Sequence, residues 1–359
     1  MGRLDSSARR SLLGGALFFL CGLAQAQSSV TLYGVLDSGF LYTNKTLNST
    51  TGQNGGKQFS LIDAGLLASR FGITGTEDLG GGLKLNFDLE SGISAVNGGF
   101  SDSNGNLFGR QAWVALDGNF GEVKAGLQYS PFYLAIYETD PRAFWQFGSG
   151  VVNYADNVLA TGTFSANAVS YTSPVLGGFS GSVMFALGGE AGNFQAGRQY
   201  SASLKYDNGA LLINAAIFGS NSGGTGQTPV PSTLEFEGRT LGAAYRFGTL
   251  SAKASFVNYK VAGSFNNNVY GGGLDYLVLP QLDVNGGVWV TSDRNDTKNH
   301  SVVVALGAEY FVSKRTGLYA QVGVANNHGA MNTGLSIQGA LYGAPGTTTG
   351  VLLGVSHKF

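Results

Sequence analysis

The sequence predicts an all-β fold: a 16-stranded antiparallel transmembrane β-barrel whose third extracellular loop folds inward. Three observations lead there. Charged residues make up only 12% of 359 positions, and 57 glycines fill the space instead of long apolar blocks, whereas soluble domains carry about 25% charge and about 7% Gly. Apolar and polar residues alternate with period two in segments of about ten residues, the signature of a strand with two different faces. Short linkers alternate with long polar ones, as a barrel with tight turns at one rim and loops at the other requires.

The chain opens on a targeting segment, residues 1–26, leaving 27–359 for the barrel. Arg3, Arg9 and Arg10 form its basic start, Leu12 to Leu23 its apolar stretch, and Ala24-Gln25-Ala26 its cleavage site, so the mature chain begins at Gln27. This is the sole long apolar run, which excludes a multi-helix membrane protein. Cys21 falls inside the leader, behind bulky Leu20, so neither a lipid attachment nor a disulfide framework is expected. His300, His328 and His357 are scattered without metal-ligand spacing, so no metal and no cofactor is implied. A net charge of −1 argues against nucleic-acid binding.

Sixteen segments carry the strand pattern, at 30–42, 65–76, 82–94, 107–117, 120–129, 167–173, 179–188, 198–206, 210–219, 236–247, 249–261, 267–277, 281–291, 301–311, 315–325 and 350–359. In the third, Leu83, Leu85, Phe87 and Leu89 oppose Lys84, Asn86, Asp88 and Glu90; in the eighth, Tyr200, Ala202, Leu204 and Tyr206 oppose Gln199, Ser201, Ser203 and Lys205. No helix longer than a turn or two is expected. Asp78-Leu79-Gly80-Gly81, Asp117-Gly118-Asn119 and Asp207-Asn208-Gly209 are tight turns. Sixteen strands of about 11 residues and seven turns of about 4 leave about 16 residues for each of eight loops, the scale of a barrel with an aqueous lumen. Closure meets the demand of the bilayer, where every backbone N–H and C=O needs a partner. Tyr206, Tyr245, Phe247, Tyr310, Phe311 and Phe359 sit at strand ends, where amphipathic rings suit the headgroup level. The repeat of about 40 residues that a propeller needs is missing.

The linker 129–167 is far longer than a structureless connection inside a compact fold. It holds Glu138, Asp140, Arg142 and Asp156 among Phe132, Tyr133, Tyr137, Phe144, Trp145, Phe147 and Tyr154. Such rings suit an interior, so this third loop is expected inside the barrel as its constriction. Alternation puts Arg70, Lys84 and Arg110 on the inward faces of the second, third and fourth strands, opposite those acids. Opposed charges across a wet neck would set up a transverse field that orients dipolar solutes.

Five motifs resemble one family, the general diffusion porins of Gram-negative outer membranes, in particular the betaproteobacterial type. They are Ser29-Val30-Thr31-Leu32-Tyr33-Gly34, Ser69-Arg70-Phe71-Gly72 leading to Glu77-Asp78-Leu79-Gly80, Phe108-Gly109-Arg110-Gln111-Ala112, Tyr171-Thr172-Ser173-Pro174 and His357-Lys358-Phe359, in order along the mature chain. The resemblance implies a homotrimer in the outer membrane, among lipid and lipopolysaccharide. It implies passive diffusion of small hydrophilic solutes and ions, and a terminal Phe359 read by the barrel-assembly machinery. The chain departs from the pattern at Ser170 and Leu127, where relatives commonly carry basic residues, and Asp37, Asp88, Glu90, Asp283 and Glu309 add inward acids. Weak charge selectivity is therefore expected, its sign open. A solute-selective channel with a saturable aromatic path is the alternative. An outer-membrane hydrolase is remote, because His300 near Asp293 and Asp296 is the only histidine close to acids and local loop composition explains that equally well.

Overall fold

The computed structural model describes residues 29–158, 163–221, 235–261 and 263–359, with the side chains of 155–158 left out; the leader at 1–26 lies outside the described residues. The barrel wall begins with β1 (Ser29–Thr43), β2 (Gln58–Asp63), β3 (Arg70–Gly80), β4 (Leu83–Gly92), β5 (Gln111–Gly118) and β6 (Gly121–Gln128). Helices α1 (Pro131–Thr139) and α2 (Gly150–Val158) follow. The wall resumes with β7 (Ser165–Thr172), β8 (Phe179–Ala186), β9 (Gln199–Asp207), β10 (Leu211–Ser220), β11 (Phe236–Phe247), β12 (Leu250–Val261), β13 (Asn266–Leu279), β14 (Leu282–Asp293), β15 (His300–Phe311) and β16 (Thr316–His328). A small hairpin, β17 (Thr333–Ser336) and β18 (Ala340–Tyr342), fills the last loop before β19 (Gly346–Lys358).

Neighbours along the chain pair antiparallel, and β19 closes on β1 from Val35↔Lys358 to Thr43↔Gly350. Strands β2 and β3 both pair with β1 and are two halves of one wall strand, so sixteen strands close the barrel. At the closing seam Gly34 and Phe359 exchange backbone hydrogen bonds of 3.1 and 3.0 Å. A Cβ at Gly34 would strike the Phe359 ring, so the last side chain lies in the space that glycine leaves. Large apolar side chains point away from the lumen all round the wall, among them Leu32, Phe40, Val183, Leu204, Leu241, Leu274, Leu306 and Leu353, each more than half exposed. Water would penalise that belt; lipid does not.

Strand ends move by up to about four residues from the sequence reading, with two larger differences. The expected strand 65–76 is broken: residues 64–69 leave the ladder, and Ala64 takes a left-handed φ of 63°. The Asp37 carboxylate, inward on β1, replaces the lost ladder bonds by accepting the N–H groups of Gly65, Leu66 and Leu67 at 2.8–3.1 Å and the Tyr319 hydroxyl at 2.7 Å. Residues 107–110 likewise lie in the loop before β5.

The expectation of no substantial helix is also corrected, since α1 and α2 have nine residues each. Ser130 caps α1 by accepting the Tyr133 N–H at 3.1 Å, and Pro131 occupies the first turn, where its missing N–H costs nothing. Phe132, Ala135, Ile136 and Thr139 then form a buried stripe at helical spacing.

Candidate functional site

The third loop enters the barrel and lies against one side of it. Helix α1 packs on β9 to β12. The Phe132 N–H donates to Ser201 Oγ at 3.0 Å, and the Phe132 ring fills the space over Gly238, where a Cβ would come within 2.7 Å of it. Glu138 pairs with Lys205 at 2.6 Å and accepts from Asn214 at 3.1 Å. Beyond the helix, Asp140 folds the loop on itself by accepting the N–H groups of Arg142, Phe144 and Gly150 at 2.8, 3.2 and 2.8 Å. Burial pushes its carboxyl above the ordinary range, and these three bonds oppose that rise.

Arg142 is 1% exposed and ties the loop to the far wall. It donates to Asn285 Oδ1 at 2.9 Å, Gln321 Oε1 at 2.6 Å and the Gly148 carbonyl at 3.0 Å, and its guanidinium lies 5.1 Å from the Trp145 ring. Burial lowers it to about 10, so it remains charged at neutral pH. Next, the Gly148 N–H donates to the Leu335 carbonyl at 2.7 Å, and the Gln146 N–H to Leu66 at 3.1 Å, joining the loop to β17 and to the break between β2 and β3.

Beside the loop lies a cavity of about 280 Å³ with two unlike sides. On the wall side, Glu90 of β4 receives both arginines, Arg70 Nε at 3.1 Å and Arg110 Nε at 2.8 Å. Arg110 also pairs with Asp102 of the second loop and donates to the Tyr129 hydroxyl at 3.0 Å. Tyr33 donates to Asp88 at 2.8 Å and to Glu90 at 3.1 Å. Burial raises the Asp102 carboxyl, with Arg110 as the chief opposing influence. The side chain of Arg70 is 23% exposed and that of Arg110 is 7%, so of these two arginines Arg70 is the more open to solute. The loop side is aromatic: Tyr129 stacks on Tyr133 with centroids 5.0 Å apart, Tyr137 meets Phe144 edge-on at 5.7 Å, and Phe164 lies 5.4 Å from the Arg110 guanidinium.

The structure therefore brings together Arg70 and Arg110 but not the charges expected opposite them. Lys84 faces inward yet pairs in register with Asp78 and Asp117 beside the short turns. Arg70 is level with Gly92, eight residues along β4, or about 27 Å away at about 3.4 Å per residue. Glu138 is neutralised by Lys205, and Asp140 is consumed by backbone amides. The Asp156 side chain lies outside the described residues. Where wall bases and loop acids were expected to oppose each other, the described side chains interleave bases and acids around Glu90, facing rings. Sequence reasoning noted Glu90 as an inward acid but missed its pairing, and missed Asp102, whose Ser101-Asp102-Ser103 setting looks like any polar loop.

Residues 14–330 match the profile of the Gram-negative porin family. Outer membrane porin protein 32 of Delftia acidovorans is 32% identical, covering 98% of this chain and all of that protein. Major outer membrane protein P.IB of Neisseria gonorrhoeae is 29% identical over 83% of this chain and 88% of its own length. Among solved structures, an anion-selective porin from Comamonas acidovorans superposes with a TM-score of 0.78 at 29% identity, over 93% of this chain and all of the other.

Proposed function

Since the chain belongs to the Gram-negative porin family and is an outer-membrane channel barrel, we propose that it passes small hydrophilic solutes and ions by passive diffusion with weak charge selectivity, as a homotrimer exported by way of the cleaved leader 1–26. The interleaving of Arg70, Glu90, Arg110 and Asp102 carries this reading. A cation whose charge is matched by a carboxylate within 3.1 Å presents little net field to a passing ion. With Asp88 on the same lining, no excess of positive charge remains at the neck. Flux then depends on size and on the mixed polar and aromatic surface more than on sign.

The Comamonas relative is described as anion-selective, so a strong chloride preference here is the outcome that would refute the weak-selectivity reading. Reconstitution into planar bilayers tests the whole reading. Ohmic steps arriving in groups of three, with sugar flux that does not saturate, are expected. A barrel that folds but gives no steps would contradict it. The aromatic side formed by Tyr129, Tyr133, Tyr137 and Phe144 favours a second reading, a stacking path for sugars or aromatic acids, whose mark is flux that saturates and loses saturation in Tyr133→Ala.

A further inference from the structure

At the loop-bearing rim, β15 begins at His300 and β16 ends at His328, and the ladder pairs these two residues directly. Their neighbours Ser301 and Asn327 are buried toward the interior at 0% and 3% exposure, so strand alternation turns both imidazoles to the outer face. The rings stack with centroids 4.4 Å apart and planes inclined by 14°. His300 Nδ1 lies 3.2 Å from the Thr297 carbonyl oxygen. A carbonyl only accepts, so this contact puts a proton on Nδ1, and the neutral ring then offers Nε2 as its lone-pair nitrogen. A ring nitrogen donating to a backbone carbonyl, with the other left free, is the arrangement that orients metal-binding histidines.

We propose that His300 and His328 form a two-histidine site for a divalent transition-metal ion on the outer face of the barrel at its extracellular rim. Imidazole suits Zn²⁺, Cu²⁺ and Ni²⁺ and discriminates against Mg²⁺ and Ca²⁺. Two nitrogens about 2.1 Å from a tetrahedral ion lie about 3.4 Å apart and point at it from within their ring planes, so the rings must rotate about their side-chain bonds out of the stack to bind one ion together, with the two strands still paired. Water completes the coordination, and the surroundings are polar: Ser292 pairs with His300 across the ladder, and Asn326 shares the outward face two residues before His328. The 27 intervening residues hide this pair in the sequence; strand register creates it.

The test uses the mature chain folded in detergent without an affinity tag, titrated with copper(II) chloride and followed by calorimetry and electron paramagnetic resonance. One ion per chain with two nitrogen donors is expected. His300→Gln and His328→Gln should each weaken binding at least about tenfold and leave one nitrogen, while His357→Gln, at the opposite rim, changes nothing. Both site variants should retain wild-type conductance, which shows that they fold. Absence of binding, binding indifferent to His300→Gln and His328→Gln, or binding lost in His357→Gln would overturn the proposal.

Discussion

The two sides of the lumen solve different problems. From β9 to β16 the wall is covered, and the third loop spends its polar groups on holding itself there: Glu138 on Lys205, Asp140 on its own amides, Arg142 on Asn285 and Gln321. From β3 to β5 the wall stays open, and its arginines are balanced by Glu90 and Asp102 beside them. Loop charge and wall charge are each paired locally and so do not face one another as two plates of a capacitor. On the proposed reading, the covered side would set the size of the opening and the open side its charge.

The largest effect should come from detaching the covered side. Arg142→Ala removes three hydrogen bonds to a buried cation and leaves their acceptors unpaired, at a cost on the order of 3 kcal/mol or more. Single-channel recordings should show larger, noisier conductance together with a lower unfolding temperature; unchanged current would break the claim that the loop sets the size. On the open side, Arg110→Ala leaves Glu90 and Asp102 short of a partner. Reversal potentials should move toward cation preference with conductance nearly intact, whereas a collapse of conductance would place Arg110 among the size-setting residues.

A smaller effect follows from pH. Burial raises the Asp102 carboxyl, so as pH falls it takes up its proton before an ordinary carboxyl at about 3.9 does. Arg110 then loses one of its counter-charges, and selectivity should drift toward anions on acidification. Asp102→Asn should show less of that drift; an equal drift in the variant assigns the titration elsewhere. Smallest of all is Lys84→Ala. Its backbone lies eight residues along β4 from the level of Arg70, about 27 Å at about 3.4 Å per residue, so the reversal potential should stay within error of wild type, and a shift as large as that of Arg110→Ala would restore Lys84 to the constriction.

Much of this fold was legible because strand alternation is local. Leu83, Leu85, Phe87 and Leu89 announce their outward face without reference to any other strand, and the short turns divide the rims. Alternation reports a face and not a depth, which is why Lys84 could be assigned to the lumen but not to its short-turn end. The break at 64–69 depends on Asp37, brought alongside by the ladder. Helix α1 was hidden because its stripe of Phe132, Ala135, Ile136 and Thr139 sits among aromatics that also suit strands. The loop acids misled for a further reason. Composition shows that Glu138 and Asp140 are charged, but whether they face water, a lysine or backbone amides is decided by tertiary packing.

If Glu90 holds the two arginines electrically quiet, the reversal potential of wild type and Glu90→Gln under the same potassium chloride gradient will differ in selectivity. A wild-type value near zero that moves clearly toward anion preference in Glu90→Gln is expected. A wild-type channel already strongly anion-selective, and unmoved by Glu90→Gln, would contradict the account.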